Sequence, residues 1–372
     1  MDGDQCGFSP NSNEVERWWE TDHGSGESCT RDVWKQDRCI WHAIVRDKPT
    51  STLEEEAKSE DKIDYAYLEE GDLEGIDLSN KTLRCCNFGG ANLSDTELSS
   101  GNFNGSLFTN ADLSGQDLYS CKFHDCRFDK ADLSGSRLFL AEFDGSSFRN
   151  TNLTQAQAAR TSFVSANLEG AIFRDSVLGD TEFTNSNLYN IVLENARINE
   201  DTVFDEHSSY EESDEYRKAA RVYRELMDSS RRNSLATQAR YYYVKEKHAR
   251  RKCYELFENP LKRIMAETSR GIMLYGDSPW RVISLSVAVI LSWSIIFKHH
   301  GEILYNGEPL TSESLSLTFG HLYFSLASFV TLTPPGYIPG DQFTRIFAGI
   351  ESLIGGIFLA LLVFVLSRRA IW

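Results

Sequence analysis

The stretch ANLSDTELSSGNFNGSLFTNADLSGQDLYSCKFHDCRFDKADLSG, residues 91–135, places a Leu or Phe at every fifth position. The period holds without a slip from 73 to 198, where 24 of 26 such positions are Leu or Phe, the exceptions being Ala158 and Ile198. Two residues before each, Ala, Gly, Ser, Thr or Cys occurs in 22 of the 26. Neither a 3.6-residue helix nor a two-residue strand keeps every fifth side chain on one face. A square coil with sides of five residues does so. Each central Leu or Phe points inward, and the small residue two before it fills the corner. Stacked at about 4.8 Å, the repeats predict roughly six and a half coils and a rod about 30 Å long.

The pattern, with ANLSD, ADLSG, AEFDG and ANLEG as its clearest units, resembles the pentapeptide-repeat family. The resemblance implies a right-handed quadrilateral β-helix over 71–203 and a rigid rod that serves as a spacer or a docking surface for a cytoplasmic protein. Some members of that family mimic DNA and bind topoisomerases, and the acidity of this segment fits that alternative.

The chain carries a net charge of −17, unevenly distributed. Residues 1–215 hold 18 Lys/Arg against 43 Asp/Glu, 216–280 hold 15 against 7, and 281–372 hold 5 of each. Only 13 of the 38 cationic residues are Lys. Dense surface carboxylates with little Lys suit a salt-rich cytosol, as in a halophilic archaeon. They equally suit a basic protein partner.

The segment 1–70 is short of apolar residues for a core of its own. Cys6, Cys29, Cys39 and His42 form a residue set that suits structural zinc, with Cys39-x-x-His42 at ligand spacing. The competing reading packs them beside Trp18, Trp19, Trp34 and Trp41. Cys85, Cys86, Cys121 and Cys126 fall within the repeat and read as packing. The start MDGDQCGF has no charged-then-apolar leader, so reduced thiols in a cytosolic domain are expected.

Beyond the repeat, 204–279 reads as a basic helical hairpin, with Ala220, Val222, Tyr223, Leu226 and Met227 at helical spacing and a second helix from about Leu235. Its Arg and Lys residues are expected to meet anionic membrane lipid rather than nucleic acid.

Two apolar stretches follow in 280–372. WRVISLSVAVILSWSIIF (280–297) and IFAGIESLIGGIFLALLVFVL (346–366) are each long enough to cross a membrane when aromatic ends sit at the interface. Arg281 precedes the first and Arg368 and Arg369 follow the second, whereas the connection is acidic. Both termini are therefore expected in the cytoplasm, with two spans in the cell membrane. Between them SLSLTFGHLYFSLASFV (314–330) is too short to add a paired span and predicts a re-entrant helix. Backbone at that depth must be shielded by protein or line a watery cavity.

Leu322-Tyr323-Phe324-Ser325, Pro339 and Phe343-x-Arg345 resemble the pore module of the two-transmembrane tetrameric potassium-channel family. The resemblance implies a homotetramer, a monovalent cation as the permeant species, and a filter at Thr331-Leu332-Thr333-Pro334-Pro335 in an ungapped match, or at Pro334 to Ile338 in a slipped match that retains Gly336 and Tyr337. The family's filter is glycine-rich. Proline, fixed near φ −65°, cannot turn successive carbonyls to an axis, so a stiffer, wider constriction with reduced potassium selectivity is expected. Gly355 and Gly356 read as a gating hinge or as close helix packing. Glu351, an acid inside a span, calls for a polar partner or water.

There is no phosphate-binding loop, nucleotide fingerprint or acid/base constellation, and no enzyme is expected. The rival reading is a membrane-anchored interaction scaffold whose loop does not conduct.

Overall fold

The computed structural model describes residues 39–204, 215–254, 260–310, 315–330 and 336–370. The chain divides into two compact units, Met1–Ala249 and Arg250–Trp372.

The first unit is a β-helix preceded by helix α1 (Thr50–Ser59). Parallel bridges join residues twenty apart, from Lys62↔Thr82 through to Val177↔Arg197. Four five-residue sides thus make one turn. The final coil adds strands β1 (Glu182–Phe183) and β2 (Val203–Phe204), paired in parallel. Coiling begins at Lys62, ahead of the boundary expected at 71. Ile63 and Leu68 already point inward there, with the small Ala66 two before Leu68 but Asp61 two before Ile63.

The core is an internal ladder of rings and aliphatic side chains. Phe123, Phe143, Phe163 and Phe183 stack face to face at 5.0, 5.2 and 5.4 Å. A second ladder, Phe88, Phe108, Phe128 and Phe148, stacks at 4.8, 4.8 and 4.9 Å. The two meet edge to face, an arrangement that aromatic quadrupoles favour. Corner hydroxyls are satisfied internally: Thr161 Oγ1 donates to Leu138 O at 2.7 Å and Ser106 Oγ to Leu83 O at 2.9 Å. The corner thiols of Cys86, Cys121 and Cys126 make the same bond to Ile63 O, Leu98 O and Phe103 O. Burial pushes the Cys121 thiol up to about 12, so these groups are packing, not nucleophiles.

Every fifth residue from Tyr65 to Asn195 has positive φ, between 53° and 75°. Gly, Asn and Asp fill 17 of these 27 positions because they tolerate the left-handed region. Cys85 lies at such a turn, with φ 56°, and not at a packing corner.

Both open ends of the rod are closed by chain. At the first coil, Trp41 is fully buried and its carbonyl accepts from Tyr67 N at 2.7 Å. Residues 39–59 therefore cap the rod and do not form a separate small domain. At the last coil sit helices α2 (Tyr216–Arg232) and α3 (Ala236–Lys252). Glu225 Oε1 accepts from Leu193 N, while Asn233 accepts from Ile198 N and donates to Ala196 O. Side chains thus satisfy backbone that would otherwise be a naked sheet edge. This hairpin, expected as a linker facing lipid, is the rod's C-terminal cap.

The second unit runs through α4 (Pro260–Met273), a 3₁₀ turn (Leu274–Gly276), α5 (Pro279–His300), β3 (Ile303–Tyr305), β4 (Glu308–Pro309), α6 (Leu315–Phe329), β5 (Tyr337–Pro339) and α7 (Gln342–Ala370). The strands form an antiparallel sheet in the order β4-β3-β5. Helices α5 and α7 are long and apolar enough to cross a membrane. The α4 helix is an element the hairpin reading of 204–279 lacks.

Candidate membrane and loop site

Helices α5, α6 and α7 pack on one another through Phe297, Phe324, Trp293 and Phe347. The rings of Phe297 and Phe324 meet edge to face at 5.3 Å, and those of Trp293 and Phe347 lie 5.5 Å apart. With 15 residues at about 1.5 Å each, α6 reaches only about 22 Å, short of an apolar layer of roughly 30 Å. The chain on either side of α6 returns to the same small sheet. Tyr337 pairs with Tyr305 and Pro339 with Ile303.

Glu351 is completely buried on α7. Ser325 on α6 lies 2.5 Å from its Oε1 and also donates to Ile290 O on α5 at 2.9 Å. One hydroxyl therefore ties three helices together, and the polar partner that a buried acid demands is Ser325. The second carboxylate oxygen, Oε2, has no hydrogen-bond partner among the described residues. The sequence reading asked for a partner but not this one. Ser325 stands in the quoted Leu322–Ser325 run.

The two glycines expected to form a hinge differ. A Cβ on Gly355 would lie 1.8 Å from the carbonyl oxygen of Phe329 at the end of α6, whereas one on Gly356 would meet nothing within 4 Å. Gly355 is thus a close-packing contact that lets α7 touch the backbone of α6.

Of the seven residues expected in a filter, Thr331, Leu332, Thr333, Pro334 and Pro335 lie outside the described residues. Gly336 and Tyr337 are held in the sheet. The Gly336 carbonyl accepts from Asn306 N at 2.8 Å, with Gly336 at φ 80°, and the Tyr337 ring stands 4.8 Å from Tyr305 and 5.4 Å from Tyr323. The Gly336 carbonyl is thus engaged by the neighbouring turn. After β5, Asp341 caps α7 by accepting from Thr344 N at 2.9 Å. Its bonds to the Thr344 hydroxyl and amide hold its carboxyl below the usual range.

In the first unit, Cys39 Sγ lies 3.3 Å from His42 Nδ1, and His42 Nε2 faces Asp64 O at 2.9 Å. Cys6 and Cys29 lie outside the described residues. No group of three or more His, Cys, Asp or Glu side chains arranged for a metal occurs among the described residues. Lys48 is buried beside this pair, its Nζ donating to Trp41 O at 3.0 Å and Tyr67 O at 2.5 Å. Desolvation lowers its pKa to about 7.

The surface of the rod is laced by ion pairs between adjacent coils, among them Arg84–Asp64 at 2.6 Å, Arg137–Asp117 at 2.8 Å and Arg174–Glu194 at 2.9 Å. An open groove of about 630 Å³ lies between Arg137, Phe139, Gln157, Asp175 and Arg197.

The coil geometry agrees with comparison to known proteins. No curated protein matches the chain. Solved structures similar to it include HetL, a pentapeptide repeat protein involved in heterocyst differentiation regulation in the cyanobacterium Nostoc. It is 20% identical, with 39% of this chain and 71% of that one covered and a TM-score of 0.22. QnrB1, a plasmid-mediated fluoroquinolone resistance protein, is 16% identical over 37% of this chain and 84% of its own, with a TM-score of 0.26. A pentapeptide repeat protein from the Arabidopsis thaliana thylakoid lumen is 22% identical over 41% and 75%, with a TM-score of 0.13. The family model for pentapeptide repeats matches residues 64–99, 97–135 and 136–175, and this part of the chain is pentapeptide-repeat sequence.

Proposed function

We propose that the chain is one subunit of an oligomeric, tetrameric cation-conducting membrane protein, built like a potassium channel, with its β-helical rod in the cytoplasm as a regulatory or tethering module. The observation that carries this reading is the 15-residue α6, packed against two helices long enough to cross a membrane and followed by a loop that returns to the sheet. One such unit cannot enclose a path for ions; several around an axis can. In this reading the filter is the Thr331–Pro335 segment, whose two prolines cannot supply a full ring of carbonyls. Weak discrimination between potassium and sodium follows. The positive residues at the outer ends of α5 and α7 support cytoplasmic termini. The acidic balance of the rod suits a protein partner with a basic surface. Partner binding that differs between open and closed states shifts the pore.

In the same reading Cys39 and His42 supply half of a zinc site that Cys6 and Cys29 complete. A His42 Nε2–H donated to Asp64 O leaves Nδ1 as the ligand atom. Metal analysis of the purified chain should find zinc, lost on Cys39→Ser. No catalytic role is proposed.

The test is native mass spectrometry joined to cation flux in proteoliposomes. A tetramer that admits potassium and sodium supports the proposal. A folded chain that stays monomeric and passes neither ion favours the non-conducting scaffold.

A further inference from the structure

Helix α4 is amphipathic in the wrong sense for a soluble protein. Leu261, Ile264, Met265, Thr268 and Ile272 follow the i, i+3, i+4, i+7, i+11 spacing of one helix face. Leu261 is 75%, Ile264 57% and Met265 71% exposed, and no residue of the helix is buried. The polar face is the one turned towards protein. Glu267 pairs there with the buried Arg251, with Arg263 at 3.2 Å and with Arg270 at 3.6 Å, and Arg263 donates to Arg251 O at 2.8 Å. A helix that packs its charges and offers its apolar stripe outward needs an apolar partner for that stripe.

Its position in the second unit says what the partner is. The turn after α4, with Tyr275 at φ 59° and Gly276 at φ 90°, is pinned to the ends of both long apolar helices. Arg281 in the first turn of α5 donates to Arg270 O at 3.0 Å, and Arg368 near the end of α7 reaches Tyr275 O at 3.4 Å. Trp280, 73% exposed, stands at the same junction, where an aromatic residue marks the edge of an apolar layer. The C-terminal end of α4 is thereby fixed at the level where α5 begins and α7 ends. Exposed Lys262 flanks the apolar stripe, where a phosphate headgroup would meet it.

We propose that α4 lies in the cytoplasmic headgroup layer of the membrane, with Leu261, Ile264, Met265 and Ile272 in the acyl boundary and Lys262 against anionic lipid phosphates. The inference rests on the reading of α5 and α7 as membrane spans. It adds a lipid-contacting element before the first span, through which lipid composition reaches the turn that joins both span ends.

The test places p-benzoyl-phenylalanine singly at Ile264, Met265, Ala266 or Ile295 of the full chain. Each variant is reconstituted in nanodiscs of phosphatidylcholine and phosphatidylglycerol, and adducts are weighed after irradiation. Lipid adducts at Ile264 and Met265 should match those at Ile295 in α5 and exceed those at Ala266 about tenfold, because opposite faces of a helix differ in depth by about 10 Å. Lipid at Ile295 but not at Ile264 or Met265, or chain-to-chain adducts at those two, overturns the placement of α4 and leaves the spans intact. No lipid adduct at any position removes the membrane reading and the inference together.

Discussion

Gly355→Ala and Gly356→Ala change neighbouring residues of one helix by one methyl each, yet the structure sets them apart. The new carbon at 355 would lie 1.8 Å from Phe329 O, 2.7 Å from its carbonyl carbon and 3.0 Å from its Cα. Carbon and oxygen approach no closer than about 3.3 Å without cost, so α6 and α7 must part by about 1.5 Å. The obstacle is backbone, which cannot rotate aside, and overpacking of this kind costs about 1–3 kcal/mol. Better helix propensity returns at most about 1 kcal/mol. With the full return, a net loss of about 0–2 kcal/mol remains at 355. At 356, with open space around the added methyl, the outcome is neutral or stabilising by up to about 1 kcal/mol. The assay is denaturant unfolding of the full chain in detergent, followed by far-ultraviolet circular dichroism. Equal stability of the two variants would refute the close contact between α6 and α7 and return Gly355 to the hinge reading.

Three further outcomes are expected. Leu140 is 40% exposed at φ 61°, so Leu140→Asn should stabilise the rod by about 0.5–1 kcal/mol in thermal unfolding, and a loss would mean that its side chain matters more than its backbone. Lys48, lowered to about 7 from 10.5, leaves the unfolded chain holding more protons between those values. Stability should therefore rise as pH increases from about 7 towards 10.5, and Lys48→Met should flatten that slope in unfolding monitored by tryptophan fluorescence; an unchanged slope would assign it to other groups. Ser325→Ala strips the partner from a buried carboxylate oxygen and should cost about 1–3 kcal/mol, with Glu351→Gln milder because it keeps the bond; equal and negligible effects would show that the tie between the helices is idle.

The rod was legible because its core position recurs with one chemistry. A Leu or Phe every fifth residue admits a single backbone solution, so register, inward face and corner residues all follow. A second signal of equal regularity, Gly, Asn and Asp at the positive-φ turns, lay in the same sequence and would have placed Cys85 at a turn. The caps were not legible. Trp41, Glu225 and Asn233 act by meeting backbone groups at the two ends of the rod, and no local pattern announces such a partner. The hairpin's charge suggested lipid, whereas Glu225, Arg232 and Asn233 serve the last coil. In the second unit, length and hydropathy located the long helices to within a few residues. They did not say that Gly336-Tyr337 belongs to a sheet edge, because that pairing depends on Ile303–Tyr305, more than thirty residues earlier.

Cation conduction is the proposed activity of this chain. Purified, reconstituted oligomer in a planar bilayer, measured under opposed potassium and sodium gradients and then a chloride gradient, tests it directly. Unitary currents are expected whose reversal follows the cations, with potassium and sodium nearly equivalent and chloride excluded. Absence of current from a folded, membrane-inserted oligomer, or a reversal that follows chloride, would contradict it.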